Sequence, residues 1–134
     1  MSIEEIAVIG AGLMGSGISY VSAAAGYEVM VMDIDEEAVG RGMDRLRSYV
    51  QSGVKRGKLT DSDAEALLGR VKTTTNGEDA VGDVDLVIEA VYENMDVKKD
   101  LFKRMDAAAD QRTILASNTS SLSITELGKV TGRP

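Results

Sequence analysis

At 134 residues the chain is long enough for one domain of ordinary size and too short for two. Hydrophobic residues at 43% and charged residues at 28% fit a soluble globular protein, no apolar run reaches the roughly 18–20 residues of a membrane span, and a net charge of −7 argues against a nucleic-acid surface. Cysteine and histidine are both absent, which excludes a disulfide framework, a cysteine metal site and any imidazole base supplied by this chain.

The acidic start Met1-Ser2-Ile3-Glu4-Glu5 leads straight into a strand-like run, so no signal peptide is expected, and the lack of cysteine fits a cytoplasmic protein. Ile6-Ala7-Val8-Ile9 reads as a first strand closed by Gly10. A helix is predicted from about Met14 to Ala25, with Ile18 and Val21 on one face and Gly26 ending it. Glu28-Val29-Met30-Val31-Met32 is the second strand and stops at Asp33. Asp35 looks like the N-cap of a helix whose Val39, Met43, Leu46 and Val50 pack on the sheet, with Glu36 and Glu37 placed to favour the macrodipole.

After a basic break at Gly53–Gly57, Thr60 and Asp63 resemble a capping box for a short helix closed by Gly69. Val71–Thr75 is predicted as the third strand, Asn76-Gly77 as a turn, and Asp85–Val91 as a strand buried on both faces, since its apolar residues are consecutive. Asn94 opens an amphipathic helix marked by Val97, Leu101, Met105 and Ala108, Thr113–Ala116 is the fifth strand, and Ser123 and Glu126 are expected to form a capping box for a last helix through Val130. Gly132-Arg133-Pro134 follows with no further element. Five strands alternating with helices predict an α/β fold: a Rossmann-type doubly wound, mainly parallel sheet with a helical insertion after the second strand.

Gly10-Ala11-Gly12-Leu13-Met14-Gly15 fits G-x-G-x-x-G between a strand and a helix. In such a loop Gly10 permits the tight turn, Gly12 lets the backbone approach a pyrophosphate, and Gly15 allows close helix–strand packing, while free N–H groups and the helix dipole hold the phosphates. Asp33, 23 residues after Gly10, stands near the spacing of a carboxylate that binds a ribose 2′-hydroxyl. The alternative for Asp33 is a simple turn acid at the strand end. A carboxylate there repels a 2′-phosphate, and Ile34-Asp35-Glu36-Glu37 adds no arginine, so NAD is expected over NADP.

Two polar clusters follow strands four and five: Glu89, Glu93 and Asn94 with Lys98, and Ser117-Asn118-Thr119-Ser120-Ser121. Ligands of open α/β sheets bind at such strand ends, so both are expected to face the crevice, although helix capping accounts for Asn94 and Ser123. The basic break Lys55-Arg56-Gly57-Lys58 either receives an anionic group or is a solvated loop. No metal site is expected.

The segments Gly10–Ile18, Lys55–Thr60, Asp85–Asn94 and Ser117–Leu122 resemble those of the 3-hydroxyacyl-CoA dehydrogenases (3-hydroxybutyryl-CoA dehydrogenases included), and the resemblance runs from Ile6 to Pro134. It implies that residues 1–134 are the NAD-binding domain of an oxidoreductase of fatty-acid metabolism. That enzyme oxidises a 3-hydroxyacyl-CoA to the 3-oxoacyl-CoA with hydride transfer to NAD. By the same resemblance Gly10, Ala11, Gly12, Leu13, Met14, Gly15 and Asp33 hold the adenosine half of NAD, and Glu93 and Lys98 lie by the nicotinamide. Ser120 hydrogen-bonds the substrate oxygen beside the cofactor, Asn118 neighbours that site, and Arg56 stands where the family usually places a lysine on a CoA phosphate. Tyr49 stands where some members carry a serine near the CoA. The family's catalytic histidine and its helical dimerisation domain lie in segments this chain does not contain. The expectation is therefore a piece of a homodimeric enzyme that binds NAD and acyl-CoA, with no nucleic-acid or membrane partner, and is itself inactive. Two other functions fit the same residues: a stand-alone NAD-sensing module, and a dehydrogenase of another hydroxy acid.

Overall fold

In the computed structural model, which describes residues 2–119 and 123–133, the apolar run Ile6–Ile9 becomes the centre of the sheet. β1 (Glu5–Ile9) pairs with β2 (Glu28–Met32) on one side and β4 (Leu86–Glu89) on the other. β3 (Val71–Thr74) lies outside β2 and β5 (Ile114–Ser117) outside β4, giving the order β3-β2-β1-β4-β5 with every pairing parallel. A central parallel strand is covered on both faces, which is why β1 is apolar at successive positions. Ile6 and Val8 join Val29 and Val31 under α1 (Leu13–Ala24), α2 (Glu36–Lys55) and α3 (Asp61–Gly69). Ala7, Ile9 and Val87 face α4 (Gly77–Val81), α5 (Met95–Ala108) and α6 (Ile124–Lys129). The sheet is doubly wound, as predicted, and α3 is the helical insertion after the second strand.

Helix starts agree closely with the side-chain chemistry. Asp35 accepts from Ala38 N, Asn94 from Val97 N, and Thr60 and Asp63 close a reciprocal box. Ser123 accepts from Glu126 N, while the Glu126 carboxylate turns to Lys99 at 3.6 Å. Asn76-Gly77 is more than the predicted turn: Asn76 Oδ1 accepts from Glu78 N and Asp79 N and starts the five-residue α4, too short to show a periodicity. The fourth strand is shorter than predicted at both ends: Asp85, whose carboxylate accepts from Glu4 N and Glu5 N, precedes it, and Ala90 and Val91 lie beyond it.

Three helix faces differ from the periodicity. Val21 is 66% exposed, and α1 instead buries Gly15, Ser16, Ser19 and Ala23. The reason is distance: a Cβ built on Gly15 would stand 1.7 Å from Gly10 O, so α1 lies too close to the end of β1 for large side chains. Ser16 and Ser19 satisfy their hydroxyls on Ala11 O and Gly15 O. α2 packs chiefly on α1 rather than on the sheet. α5 is rotated so that Lys98, Phe102 and Met105 are buried and Val97 is exposed. At the end of the described chain Arg133 is bound to Asp106 Oδ1 at 2.7 Å and to Asp110 O and Thr113 O, which ties this segment to α5 and β5.

Gly15→Ala is expected to destabilise the chain by about 1–3 kcal/mol, as overpacking does. Gly17→Ala, whose Cβ meets nothing within 4 Å, should stabilise it by roughly 0.5–1 kcal/mol through helix propensity. Urea unfolding of both variants checks the contrast; equal effects would remove the close-packing account.

Candidate functional site

The chain runs outward from β1 through β2 to β3, then returns to the centre for β4 and β5, so the order reverses between β1 and β4. Open α/β sheets bind ligands outside the carboxyl ends of the strands at such a point. Gly10 follows β1 there with φ +109°, and a Cβ on it would meet Ala90 O at 2.6 Å, so the two strand ends touch. Gly10 N donates to Met32 O and Ala90 N to Ile9 O, which extends the sheet ladder up to the crevice. Gly12 has nothing within 4 Å of its Cβ direction; the space above it is open.

Helix α1 starts at Gly12 with no side-chain cap and no acid in its first turn. Among the described residues it is the one helix without a capping side chain. Its orphan N–H groups and positive dipole end therefore face the open space over Gly12, the requirement for a bound phosphate. Asp33 closes one side: Oδ2 accepts from Ala11 N at 2.8 Å and Oδ1 from Ile34 N at 2.7 Å. It is thus a turn acid that also organises the glycine loop, and its carboxylate stands at the end of β2, where an adenosine ribose would meet it. These residues fit a dinucleotide.

The opposite wall is charged and buried. Lys98 from α5 is 1% exposed, and its Nζ lies 3.0–3.1 Å from the Glu89 carboxylate and 2.5 Å from Glu93 Oε1. Glu89, fully buried at the end of β4, also accepts from Val91 N and from Ser117 Oγ at the end of β5. Thr119 N donates to Ser117 Oγ and Thr119 Oγ1 to Glu93 Oε2, so the network joins β4, α5 and the turn after β5. Burial alone would depress the Lys98 pKa. Hydrogen bonds to Glu93 and Glu89, with the charges of both, outweigh it and hold the ammonium above the ordinary lysine value of 10.5.

Residues 5–134 match the family model described as 3-hydroxyacyl-CoA dehydrogenase, NAD binding domain. The chain belongs to this family of NAD-binding domains. Its relatives include a 3-hydroxybutyryl-CoA dehydrogenase of Clostridioides difficile, 42% identical over 97% of this chain and 46% of the relative. The mitochondrial hydroxyacyl-coenzyme A dehydrogenase of Sus scrofa is 39% identical over 98% of this chain and 43% of the relative. The solved (S)-3-hydroxybutyryl-CoA dehydrogenase of Ralstonia eutropha superposes with a TM-score of 0.94 at 40% identity, covering 98% of this chain and 46% of that one. The chain thus spans just under half the length of each of these three.

Within this NAD-binding domain the structure brings Gly10, Ala11, Gly12, Leu13, Met14, Gly15 and Asp33 together at the switch point. Glu93 and Lys98 lie together, the Lys98 ammonium committed to two carboxylates, and Glu93, with 43% of its side chain exposed, is the exposed partner of Lys98. Asn118 is exposed, and its backbone N–H donates to Glu89 O. Ser120 lies outside the described residues. Arg56 is not part of this grouping: it is the exposed C-cap of α2, fourteen residues past Gly42, about 21 Å along the helix at 1.5 Å per residue. Tyr49 packs edge-on against Tyr20. Glu89 belongs to the sequence cluster of Glu93 and Lys98, and its role emerges only in the fold. The available signal was a carboxylate inside an otherwise apolar buried strand, which calls for a cationic partner.

Lys98→Met leaves Glu89 buried without its cation and is expected to cost about 3–5 kcal/mol, with much of the loss recovered when Glu89→Gln is added. Because the folded pKa of Lys98 is raised, its contribution is complete below the unfolded value near 10.5 and declines as pH climbs through the folded value. In denaturant melts the gap between the parent and Lys98→Met should therefore stay constant from pH 8 to pH 10 and begin to narrow only above about pH 10.5; a gap that already narrows between pH 8 and pH 10 would contradict the assignment.

Proposed function

We propose that this domain serves an NAD-dependent 3-hydroxyacyl-CoA dehydrogenase, with the dinucleotide lying across the carboxyl ends of β1 and β4. The observation that carries the reading is the uncapped start of α1 over the open space at Gly12, with Asp33 beside it. When bound, NAD supplies the hydride acceptor. The backbone N–H groups of Leu13, Met14 and Gly15 hold the pyrophosphate, and Asp33 receives the adenosine ribose and repels a 2′-phosphate. Glu93, fixed by Lys98, lines the nicotinamide end, and Ser120 with Asn118 orients the substrate oxygen.

Acyl-CoA is the substrate class the relatives' names support, and Arg56 in the basic break is our candidate for a CoA phosphate. With no histidine among the 134 residues, an imidazole acceptor for the hydroxyl proton has to come from outside them. Residues 1–134 are read as one NAD-binding domain, of a homodimeric enzyme; a cytoplasmic location is consistent with the absence of cysteine and with the bacterial relatives. Among the described residues no helix is long and apolar enough to cross a membrane.

Fluorescence titration with NADH beside NADPH tests this. NADH should saturate the chain, with NADPH much weaker. Gly12→Val should abolish NADH binding while leaving the melting temperature nearly unchanged, because the side chain enters open space. Asp33→Ala should weaken NADH and narrow the preference over NADPH. Parental binding by both variants would move the cofactor elsewhere.

A further inference from the structure

Helix α2 touches the glycine loop at Ala11. A Cβ on Gly42 would stand 2.6 Å from Ala11 Cβ and 2.7 Å from Ala11 O, so the helix lies directly against the loop. One turn further on, Arg45 Nη1 donates to Ala11 O at 3.1 Å. Ser16 Oγ of α1 donates to the same oxygen at 3.1 Å, using its second lone pair, and lies 3.4 Å from Gly42 O. On the other side Ala11 N donates to Asp33 Oδ2. The peptide between Gly10 and Gly12 is therefore held from β2, α1 and α2 at once.

Arg45 is unlike its neighbours on α2. Arg41 pairs with Glu37 and Arg47 with Asp44, both on the exposed surface. Among the described residues Arg45 has no carboxylate within salt-bridge distance, and its hydrogen-bond acceptor is a loop carbonyl. A half-buried guanidinium gives one of its donors to that carbonyl, and in a chain of net charge −7 it places a positive charge beside the glycine loop.

We propose that Gly42 and Arg45 are positioning residues for the cofactor pyrophosphate. They hold the Ala11 peptide at the height that keeps the space over Gly12 open, so α2 sets dinucleotide affinity without touching the dinucleotide. The inference rests on the glycine loop being the NAD site. It separates the two halves of the ligand: the pyrophosphate depends on the height of the loop, whereas the adenosine ribose depends on Asp33.

NADH titrated into the parent chain, Arg45→Met, Arg45→Lys and Gly42→Ala, beside adenosine (which has no pyrophosphate) followed by saturation-transfer NMR, tests this. Arg45→Met should bind NADH about tenfold more weakly, the effect of losing a charged hydrogen bond, with adenosine within about twofold and the melting temperature nearly unchanged. Arg45→Lys, which keeps a charged donor, should recover part of the loss. Gly42→Ala should weaken NADH at least as much; if it unfolds, Arg45→Met decides. Parental NADH affinity in Arg45→Met, or equal losses of NADH and adenosine, would overturn the proposal. Failure of the parent chain itself to bind NADH would overturn the glycine-loop reading and this inference with it.

Discussion

The approach of α1 to the end of β1 governs the organisation of this domain. With 1.7 Å between Gly10 O and the place a Gly15 Cβ would occupy, any side chain at position 15 forces α1 to shift from β1, and the helix buries small residues beneath it. That restriction lets a second helix come close as well, so α2 packs chiefly on α1 and reaches the glycine loop through Gly42. It also leaves the first turn of α1 aimed at open space with its N–H groups unclaimed. The same contact that tightens the core shapes the proposed anion site.

The crevice is built by two different kinds of chemistry. On the β1 side it is made of backbone: a loop without side-chain caps, held by Asp33, Ser16 and Arg45 acting on Ala11. On the β4 side it is made of buried charge, with one ammonium between two carboxylates and two hydroxyls extending the network. A buried ion pair is weak evidence for net stability, because desolvation offsets much of the attraction. Its geometric value is clearer here. Glu89 joins the end of β4 to α5 and to the turn after β5, and so fixes three segments that carry the remaining candidate residues.

Local chemistry determined much of this protein from sequence alone. Alternating strand and helix patterns specified the doubly wound sheet, since parallel strands require crossovers and consecutive apolar residues require cover on both faces. The caps at Asp35, Thr60, Asn94 and Ser123 were legible because each involves residues three apart in the chain. The glycine loop and Asp33 were legible because their spacing reflects one turn of one βαβ unit.

What only the tertiary structure decided depends on approach distances between elements far apart in the chain. Periodicity placed Val21 inward and α2 on the sheet, yet the closeness of α1 to β1 turned Val21 to solvent and laid α2 on α1. Helical spacing marked Val97 as core, whereas the carboxylate of Glu89, buried on a neighbouring strand, draws Lys98 inward and turns Val97 to solvent. Gly42 and Arg45 carried no local signal, because their partner, Ala11, lies more than thirty residues earlier. A pattern along one element shows which residues can face inward; the partner across the fold, through steric contact and unpaired charge, decides which ones do.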